Sequence, residues 1–111
     1  MRLTITNYLD VISSWCFWAV PAWEELRERY SDRVDFNWKI ALMDKTGLPP
    51  TRRHMDWFYR RSGMLMRSPV MLQTSWHDES RGEYPEPNCV AEAARELGVV
   101  DDRIWKALMK A

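Results

Sequence analysis

The chain of 111 residues is long enough for one small domain. Its 46% apolar content suits a folded core and argues against a disordered chain. Its sixteen Lys and Arg residues balance sixteen Asp and Glu residues, and a zero net charge argues against a dedicated nucleic-acid binder or a polybasic membrane anchor. No run of about eighteen apolar residues predicts a transmembrane helix, and the first ten residues lack the basic and apolar regions of a secretory leader.

The N-terminal segment predicts a strand that leads into a helix. Apolar and polar residues alternate at residues 3–6, which is typical of a strand, and a turn follows at residues 10–14. Apolar residues then recur at spacings of three and four, which predicts one helix face: Trp15, Ala19, Trp23, Leu26 and Tyr30. Ser13 or Ser14 is a suitable N-cap. Pro21 lacks an N–H group, so we expect a kink in this helix.

A second strand is predicted at residues 34–40, where four apolar residues alternate with Asp35, Asn37 and Lys39. Strand, helix and strand in this order predict a βαβ unit with a right-handed crossover. Two strands alone make too small a sheet to be stable, and the second strand would present an unpaired edge. We therefore expect either that a C-terminal half of the fold is missing or that another copy of the chain supplies further strands.

The character of the sequence changes after Met43. Residues 1–43 hold the predicted βαβ unit, and residues 44–111 form a predicted helical part. Residues 67–87 contain three prolines and a glycine without a clean period, which predicts mostly loop. Capping residues predict the starts of three helices at Thr51, Asn88 and Asp101 or Asp102, and glycines predict the ends of the first two at Gly63 and Gly98.

The residues that carry the chemistry lie between the first predicted strand and the first helix, in the tetrapeptide Ser13-Ser14-Trp15-Cys16. Unpaired N–H groups and the helix dipole gather at the start of a helix, where they stabilise an anion such as a thiolate. A cysteine in the first turn is therefore a candidate reactive group. The alternative is that Cys16 is a buried core residue, because free cysteine is among the most buried residue types.

This segment resembles the active-site region of the DsbA-like thioredoxin superfamily, which includes disulfide oxidoreductases, kappa-class glutathione transferases and 2-hydroxychromene-2-carboxylate isomerases. The shared layout is an aspartate, two residues, a Cys-Pro-Trp-Cys or Ser-Pro-Tyr-Ser-like tetrapeptide, and a helix with a downstream proline. Ser13 stands at the first position of the tetrapeptide and Cys16 at the fourth. Residues 23–26 and 34–40 look like the first helix and second strand of the family, and residues 87–111 resemble its helical insertion. The resemblance implies an α/β chain, with a thioredoxin-like βαβ unit followed by an α-helical insertion, that covers only the front half of a typical member.

The resemblance implies a DsbA-like thiol–disulfide oxidoreductase that acts through Ser13-Ser14-Trp15-Cys16 on a small-molecule or protein thiol, and it leaves two alternatives open. In the thiol–disulfide oxidoreductases the first motif cysteine is the nucleophile, and Ser13 occupies that place here, so Cys16 cannot form a disulfide within the motif. In the glutathione-dependent isomerases and transferases a serine there hydrogen-bonds the glutathione thiol, and Ser13 fits this role, with Ser14 and Trp15 beside it. A non-catalytic binding or assembly module that lost the dithiol is the third interpretation. The strand with a cis-proline that lines the thiol site in the family has no counterpart in these residues.

Other chemistries have weaker support. Cys16 and Cys89 are the only cysteines, too few for a disulfide scaffold, so we expect free thiols in a reducing cytoplasm. Together with His54 and His77 they match no zinc-ligand spacing, and no metal site is predicted. Four arginines and three aromatic residues mix at residues 52–61, a pattern that can indicate nucleic-acid binding. An amphipathic helix with a basic, solvent-exposed face explains these residues as well, and the neutral total charge favours this interpretation.

Overall fold

The computed structural model describes all 111 residues as a mixed α/β structure with a two-stranded parallel sheet and four α-helices. In chain order the elements are β1 (Leu3–Leu9), α1 (Ser14–Tyr30), β2 (Val34–Ile40), a short 3-10 helix (Lys45–Gly47), α2 (Arg52–Leu65), α3 (Glu86–Glu96) and α4 (Arg103–Lys110). They form two compact units, one made of residues 1–42 and 85–111 and the other of residues 43–84. None of the helices combines the length and the apolar character that crossing a membrane requires.

The mixed α/β class and the strand–helix–strand order of the N-terminal segment are confirmed. In the structure, residues 85–111 belong to the same compact unit as the sheet. The division into parts at residues 1–43 and 44–111 was drawn from sequence character, and it stays a prediction. The α1 helix continues through Pro21 to Tyr30 without interruption, so the kink expected there also stays a prediction.

The sheet is a parallel pair whose register runs from Leu3 opposite Val34 to Leu9 opposite Ile40. Successive side chains of a strand point to opposite faces, so the alternation of apolar and polar residues in β2 separates a buried face from a solvent-exposed face. Val34 and Trp38 are buried on the first face. The second face carries three exposed residues: Asp35, Asn37 and Lys39. Each strand pairs on one side only, so the other edge of β1 is open.

Large aromatic residues dominate the core of the unit that holds the sheet. Its buried members come from the sheet, the loop after β1 and three helices: Leu9, Val11, Trp23, Trp38, Ala91 and Trp105. Trp23 of α1 meets Phe36 of β2 edge to face, with ring centroids 5.2 Å apart. Burial of an aromatic side chain is among the largest single contributions to a small core. The three tryptophans therefore hold the helices on the sheet.

Trp38 is the residue that fixes the connection between α3 and α4 on the sheet. Its indole N–H donates to the carbonyl oxygens of Val100 at 3.0 Å and Asp101 at 3.2 Å. Arg95 of α3 donates to the Trp38 carbonyl at 2.6 Å, and its guanidinium carbon lies 3.7 Å from the centroid of the indole ring. A buried indole N–H without an acceptor would destabilise the fold, and these contacts satisfy it.

The start of α3 differs from the prediction, and its end agrees with it. The helix begins at Glu86 and not at Asn88, whose side chain is buried and bonded to another part of the chain. At the other end Gly98 has a φ of 96°. The N–H of Val99 donates to the carbonyl of Ala94 at 2.9 Å. This hydrogen bond caps the C-terminus of the helix, and the positive φ of Gly98 makes it possible.

In the unit of residues 43–84, Thr51 caps α2 as predicted, because its hydroxyl oxygen accepts the N–H of His54 at 3.1 Å. Gly63 does not end this helix, which continues to Leu65. Gly63 is buried inside it. Residues 66–85 contain turns and bends without a helix or strand, which confirms the predicted loop. The buried face of α2 carries Met55, Tyr59 and Ser62.

Candidate thiol site at the start of the first helix

The four motif residues lie where β1 ends and α1 begins. β1 ends at Leu9, and a tight turn follows in which the N–H of Ser13 donates to the carbonyl of Asp10 at 3.0 Å. α1 then starts at Ser14. The turn therefore brings the tetrapeptide to the carboxyl end of a parallel strand, which is where open α/β sheets place their ligand sites.

Ser13 is the N-cap of α1. Its backbone is extended, with φ −75° and ψ 118°, and its hydroxyl oxygen accepts the N–H of Cys16 at 3.3 Å. Its carbonyl accepts the N–H of Phe17 at 3.0 Å, which is the first bond of the helical ladder. A hydroxyl that accepts through oxygen still has its own proton to donate. Ser13 therefore stabilises the helix and keeps one donor available.

The first turn of α1 offers further donors. The N–H groups of Ser14 and Trp15 precede the first bond of the ladder, so the helix itself does not use them. The positive end of the helix dipole lies at the same place. Together with the Ser13 hydroxyl they form a group of donors that favours an anion at this end of the helix.

The motif residues differ in exposure. Ser14 is buried at 7% exposure, whereas Trp15 is 49% exposed and meets the ring of Trp18 edge to face at 5.2 Å. Ser13 is half-buried. Cys16 is also half-buried, forms no disulfide, and packs against the core cluster. The Cys16 side chain therefore contributes to packing, while Trp15 and Ser13 present surface to solvent.

A buried polar network holds the loop before the motif, and sequence reasoning did not find it. Asn88 of α3 is 3% exposed and Asp10 is 4% exposed. The Asn88 amide nitrogen donates to Asp10 Oδ1 at 2.9 Å, and the same carboxylate oxygen accepts the N–H of Ile12 at 3.0 Å. The Asn88 amide oxygen accepts the N–H of Val11 at 2.8 Å. The network fixes three consecutive residues ahead of Ser13.

The sequence placed Asn88 at the tip of α3 as a cap, and this prediction was wrong. The spacing could have shown its place, because Asn88, Ala91 and Arg95 are three and four residues apart and share one helix face. Ala91 is fully buried and Arg95 contacts Trp38, so this face of α3 is the one that meets the rest of the unit. A polar residue on such a face is a partner for buried backbone groups.

The other sequence candidates do not meet at one place. No group of three or more His, Cys, Asp or Glu side chains is arranged to hold a metal ion. Cys89 is an exposed thiol on α3, and His54 is an exposed residue of α2. His77 is buried, with its Nδ1 atom lacking a hydrogen-bond partner, beside a shallow pocket of about 470 Å³ lined by Arg52, Ser75, Trp76, Asp78 and Glu79.

Comparison of the chain with protein-family models, with curated proteins and with solved structures found no match.

Proposed function

We propose that this chain is a DsbA-like thioredoxin-fold protein that binds a thiol of the glutathione class at the start of α1 and acts in the glutathione-dependent branch, as an isomerase or a kappa-like transferase. The observation that supports the proposal most is the position of Ser13. It follows a parallel strand, caps the helix through its hydroxyl oxygen, and keeps its O–H proton for a ligand. These features support a hydrogen bond from Ser13 to a bound thiolate.

The proposed chemistry is the stabilisation of a bound thiolate. A thiolate is the nucleophilic form of a thiol, and donors aimed at its sulfur favour that form over the neutral one. The Ser13 hydroxyl supplies one hydrogen bond, and the N–H groups of Ser14 and Trp15 with the helix dipole add to the favourable field. The half-exposed ring of Trp15 offers an apolar surface for the rest of the ligand. Ser13 does not attack a substrate in this scheme, because it only donates a hydrogen bond.

Thiol–disulfide exchange at Cys16 is the second candidate function. Cys16 is half-buried in the first turn of α1, so part of its surface is open to solvent. In such an exchange the Cys16 thiolate would attack a substrate disulfide, forming a mixed disulfide and releasing the other half of the substrate as a thiolate. A second, external thiol would then attack the mixed disulfide and release Cys16, since Ser13 stands in place of a second motif cysteine. Packing of Cys16 against the core cluster makes this candidate weaker than the first.

A non-catalytic assembly module is the third candidate, and the open edge of β1 favours it. No residue of Leu3–Leu9 is charged or proline, the features that usually protect a strand edge from pairing with another chain. Leu3 is 64% exposed and Ile5 is 37% exposed in this strand. Pairing of β1 with a further strand from a second copy would cover them.

Titration calorimetry with reduced glutathione tests the proposal through three variants of Ser13. Ser13→Thr keeps both the cap and the hydroxyl donor, and we expect it to bind like the parent chain. Ser13→Asp keeps the cap acceptor but sets a negative charge against the thiolate, so we expect binding to be lost. Ser13→Ala removes both, and we expect binding to weaken by one charge-assisted hydrogen bond, about 1.5–3 kcal/mol.

The Asp variant separates ligand binding from helix stability, since it retains the cap. Equal glutathione affinity of the Thr and Asp variants would contradict the proposal. Absence of glutathione binding to the folded parent chain would leave the exchange and assembly candidates. Light scattering and a disulfide-exchange assay would then distinguish those two.

A further inference from the structure

The α2 helix has two faces of different character. Its buried side carries Met55, Tyr59 and Ser62. A helix rotates by about 100° per residue, so the exposed residues of the opposite side fall within about a third of a turn. We name them the outer face of α2: Arg53, His54, Trp57, Arg60, Arg61 and Met64.

The outer face carries an excess of positive charge. Arg53, Arg60 and Arg61 form no ion pair, whereas most arginines of the other unit do. The single acid of the helix, Asp56, lies within one turn of Arg53 and Arg60, but it accepts the hydroxyl of Thr74 at 2.7 Å and forms no ion pair with either arginine. Unpaired guanidinium groups on a rigid helix are strong binding groups for carboxylates, because they offer two parallel N–H donors.

An aromatic residue stands at the centre of this charge. Trp57 is 55% exposed, the guanidinium carbon of Arg61 lies 5.6 Å from its ring centroid, and the ring of His54 lies 5.8 Å away. The cation and the ring hold each other in place. Tryptophan and arginine are the residues most enriched where binding energy concentrates in protein interfaces.

Apolar side chains continue the surface at the C-terminal end of α2. Met64 is 71% exposed and Leu65 is 65% exposed, and Met66 follows at 45%. Exposed apolar side chains grouped beside a charged face are typical of a protein-binding surface. Methionine is flexible and polarisable, so it adapts to the shape of a partner.

We propose that the outer face of α2, with Leu65 and Met66, docks an acidic amphipathic segment of a partner protein. Carboxylates of the partner pair with Arg53, Arg60 and Arg61, and its apolar side chains cover Trp57 and the residues at the helix end. The proposal does not rest on the thiol site, because the surface lies wholly within residues 43–84.

Two other partner classes fit the surface less well. A nucleic acid has phosphates for the arginines but no apolar counterpart for Met64 and Leu65, and a chain of zero net charge provides no general attraction to it. A membrane would need the apolar side of α2 to enter the lipid, and that side is buried in this unit.

Fluorescence anisotropy with a labelled synthetic helix that carries glutamates on one face and leucines on the other tests the proposal on the full chain. Arg60→Glu with Arg61→Glu reverses the charge of the surface, and we expect affinity to fall about tenfold or more. Lys39→Glu with Lys110→Glu is the matched control, since both lysines are exposed outside this unit and the change of net charge is the same. We expect the control to bind like the parent chain, and Trp57→Ala to bind more weakly than the parent.

Circular dichroism verifies that each variant is folded, and competing probes identify the partner class. Peptides with Gln in place of Glu, or Ser in place of Leu, should both bind more weakly if charge and apolar contact are used together. Absence of peptide binding, or equal loss in the matched control, would overturn the proposal. It would also be overturned if a single-stranded oligonucleotide or phosphatidylserine vesicles bound more tightly than the peptide through the same arginines. Self-association of the parent that the arginine variant abolishes would assign the surface to a second copy instead.

Discussion

The Asn88 amide and the Asp10 carboxylate meet at 2.9 Å although they are 78 residues apart in the chain, and this contact ties α3 to the loop before the motif. Asn88 also accepts the N–H of Val11 at 2.8 Å. Asn88→Ala would leave a buried N–H and a buried carboxylate without these partners. We expect the free energy of unfolding to fall by about 2–4 kcal/mol, as measured by urea denaturation.

Cys89→Ala is the matched control for this prediction, because Cys89 is the next residue of α3 and its side chain is exposed. We expect it to change stability by no more than about 0.5 kcal/mol. If Asn88→Ala were as stable as Cys89→Ala, the network would not hold the loop. In that case the position of Ser13 would depend on the turn alone.

The sequence predicted the elements whose causes are local. The alternation of apolar and polar residues predicted β2, in which Val34 and Trp38 are buried on one face and the polar residues of the other face are exposed. Helix caps were predicted because a short polar side chain ahead of an apolar run accepts a backbone N–H from the first turn of the same helix. Ser13 and Thr51 both do this. Gly98 ends α3 because its φ of 96° suits a residue without a Cβ.

The predictions from sequence were wrong where tertiary packing determines the role of a residue. A glycine at residue 63 predicts a helix end, yet Gly63 lies inside α2 on its buried side and the helix continues to Leu65. The sequence predicts Asn88 as a cap, although its partners are residues 10 and 11. Its place in the network depends on how α3 packs on the loop after β1. A local pattern carries no information about a partner so distant in the chain.

The ion pair of Arg27 in α1 with Asp102 ahead of α4 supports a second prediction. Their N–O distance is 2.6 Å, and the Asp102 side chain is only 8% exposed while that of Arg27 is 33% exposed. Arg27→Met keeps the side-chain length but leaves the carboxylate with Lys106 alone, whose Nζ lies 3.9 Å away. We expect a loss of about 2 kcal/mol of stability, because a nearly buried carboxylate loses its close partner.

A double-mutant cycle with Asp102→Asn measures this pair directly. We expect a coupling energy of about 1–2 kcal/mol that high salt reduces only in part, since the pair is largely shielded from solvent. The pair of Arg29 with Glu25 at 2.5 Å is the control, because both side chains are more than half exposed. Its coupling should stay below about 0.5 kcal/mol. Similar coupling in the two cycles would mean that burial adds nothing to the first pair.

Stability at alkaline pH depends on Tyr59. Burial raises the pKa of Tyr59 to about 12, from 10.0 for a free tyrosine. Below the unfolded pKa the side chain is neutral in both states and has no effect on the equilibrium. Between about pH 10 and 12 the unfolded chain loses this proton while the folded chain keeps it, so the folded state becomes less stable as pH rises.

Across this range we expect Tyr59 to account for a loss of about 2–3 kcal/mol, measured by urea unfolding at a series of pH values. Other tyrosines and lysines titrate in the same range, so the difference between the parent chain and Tyr59→Phe isolates the contribution. The variant should lose less stability with rising pH than the parent. Parallel pH profiles for the two chains would show that Tyr59 ionises as easily in the folded state as in the unfolded one.

The motif assignment itself is tested by Ser13→Cys. This change places two thiols three residues apart, one at the N-cap of α1 and one in its first turn. The N–H of Cys16 already bonds to the side-chain oxygen of Ser13 at 3.3 Å, so the new sulfur lies close to the start of the Cys16 side chain. We expect an internal disulfide under mild oxidation, since a bridge requires side chains whose Cβ atoms are near each other. Mass spectrometry of the digested protein identifies the bond by the loss of two hydrogen atoms and by the linked peptides.

Cys89→Ser is included as a background change, so that the exposed thiol of α3 cannot form bridges between chains. Ser14→Cys in the same background is the control, because residue 14 lies two positions from Cys16, and side chains two apart on a helix do not face each other. The bridge should form in the first variant and not in the second.

A gain of disulfide reductase activity with the bridge would support the thioredoxin-like interpretation, because thioredoxin-like enzymes use a dithiol of this spacing. If oxidation of Ser13→Cys leaves both thiols free to react with an alkylating agent after unfolding, the two side chains do not meet. The motif would then be a capped helix start with a packing cysteine, and the thiol site would lose its basis.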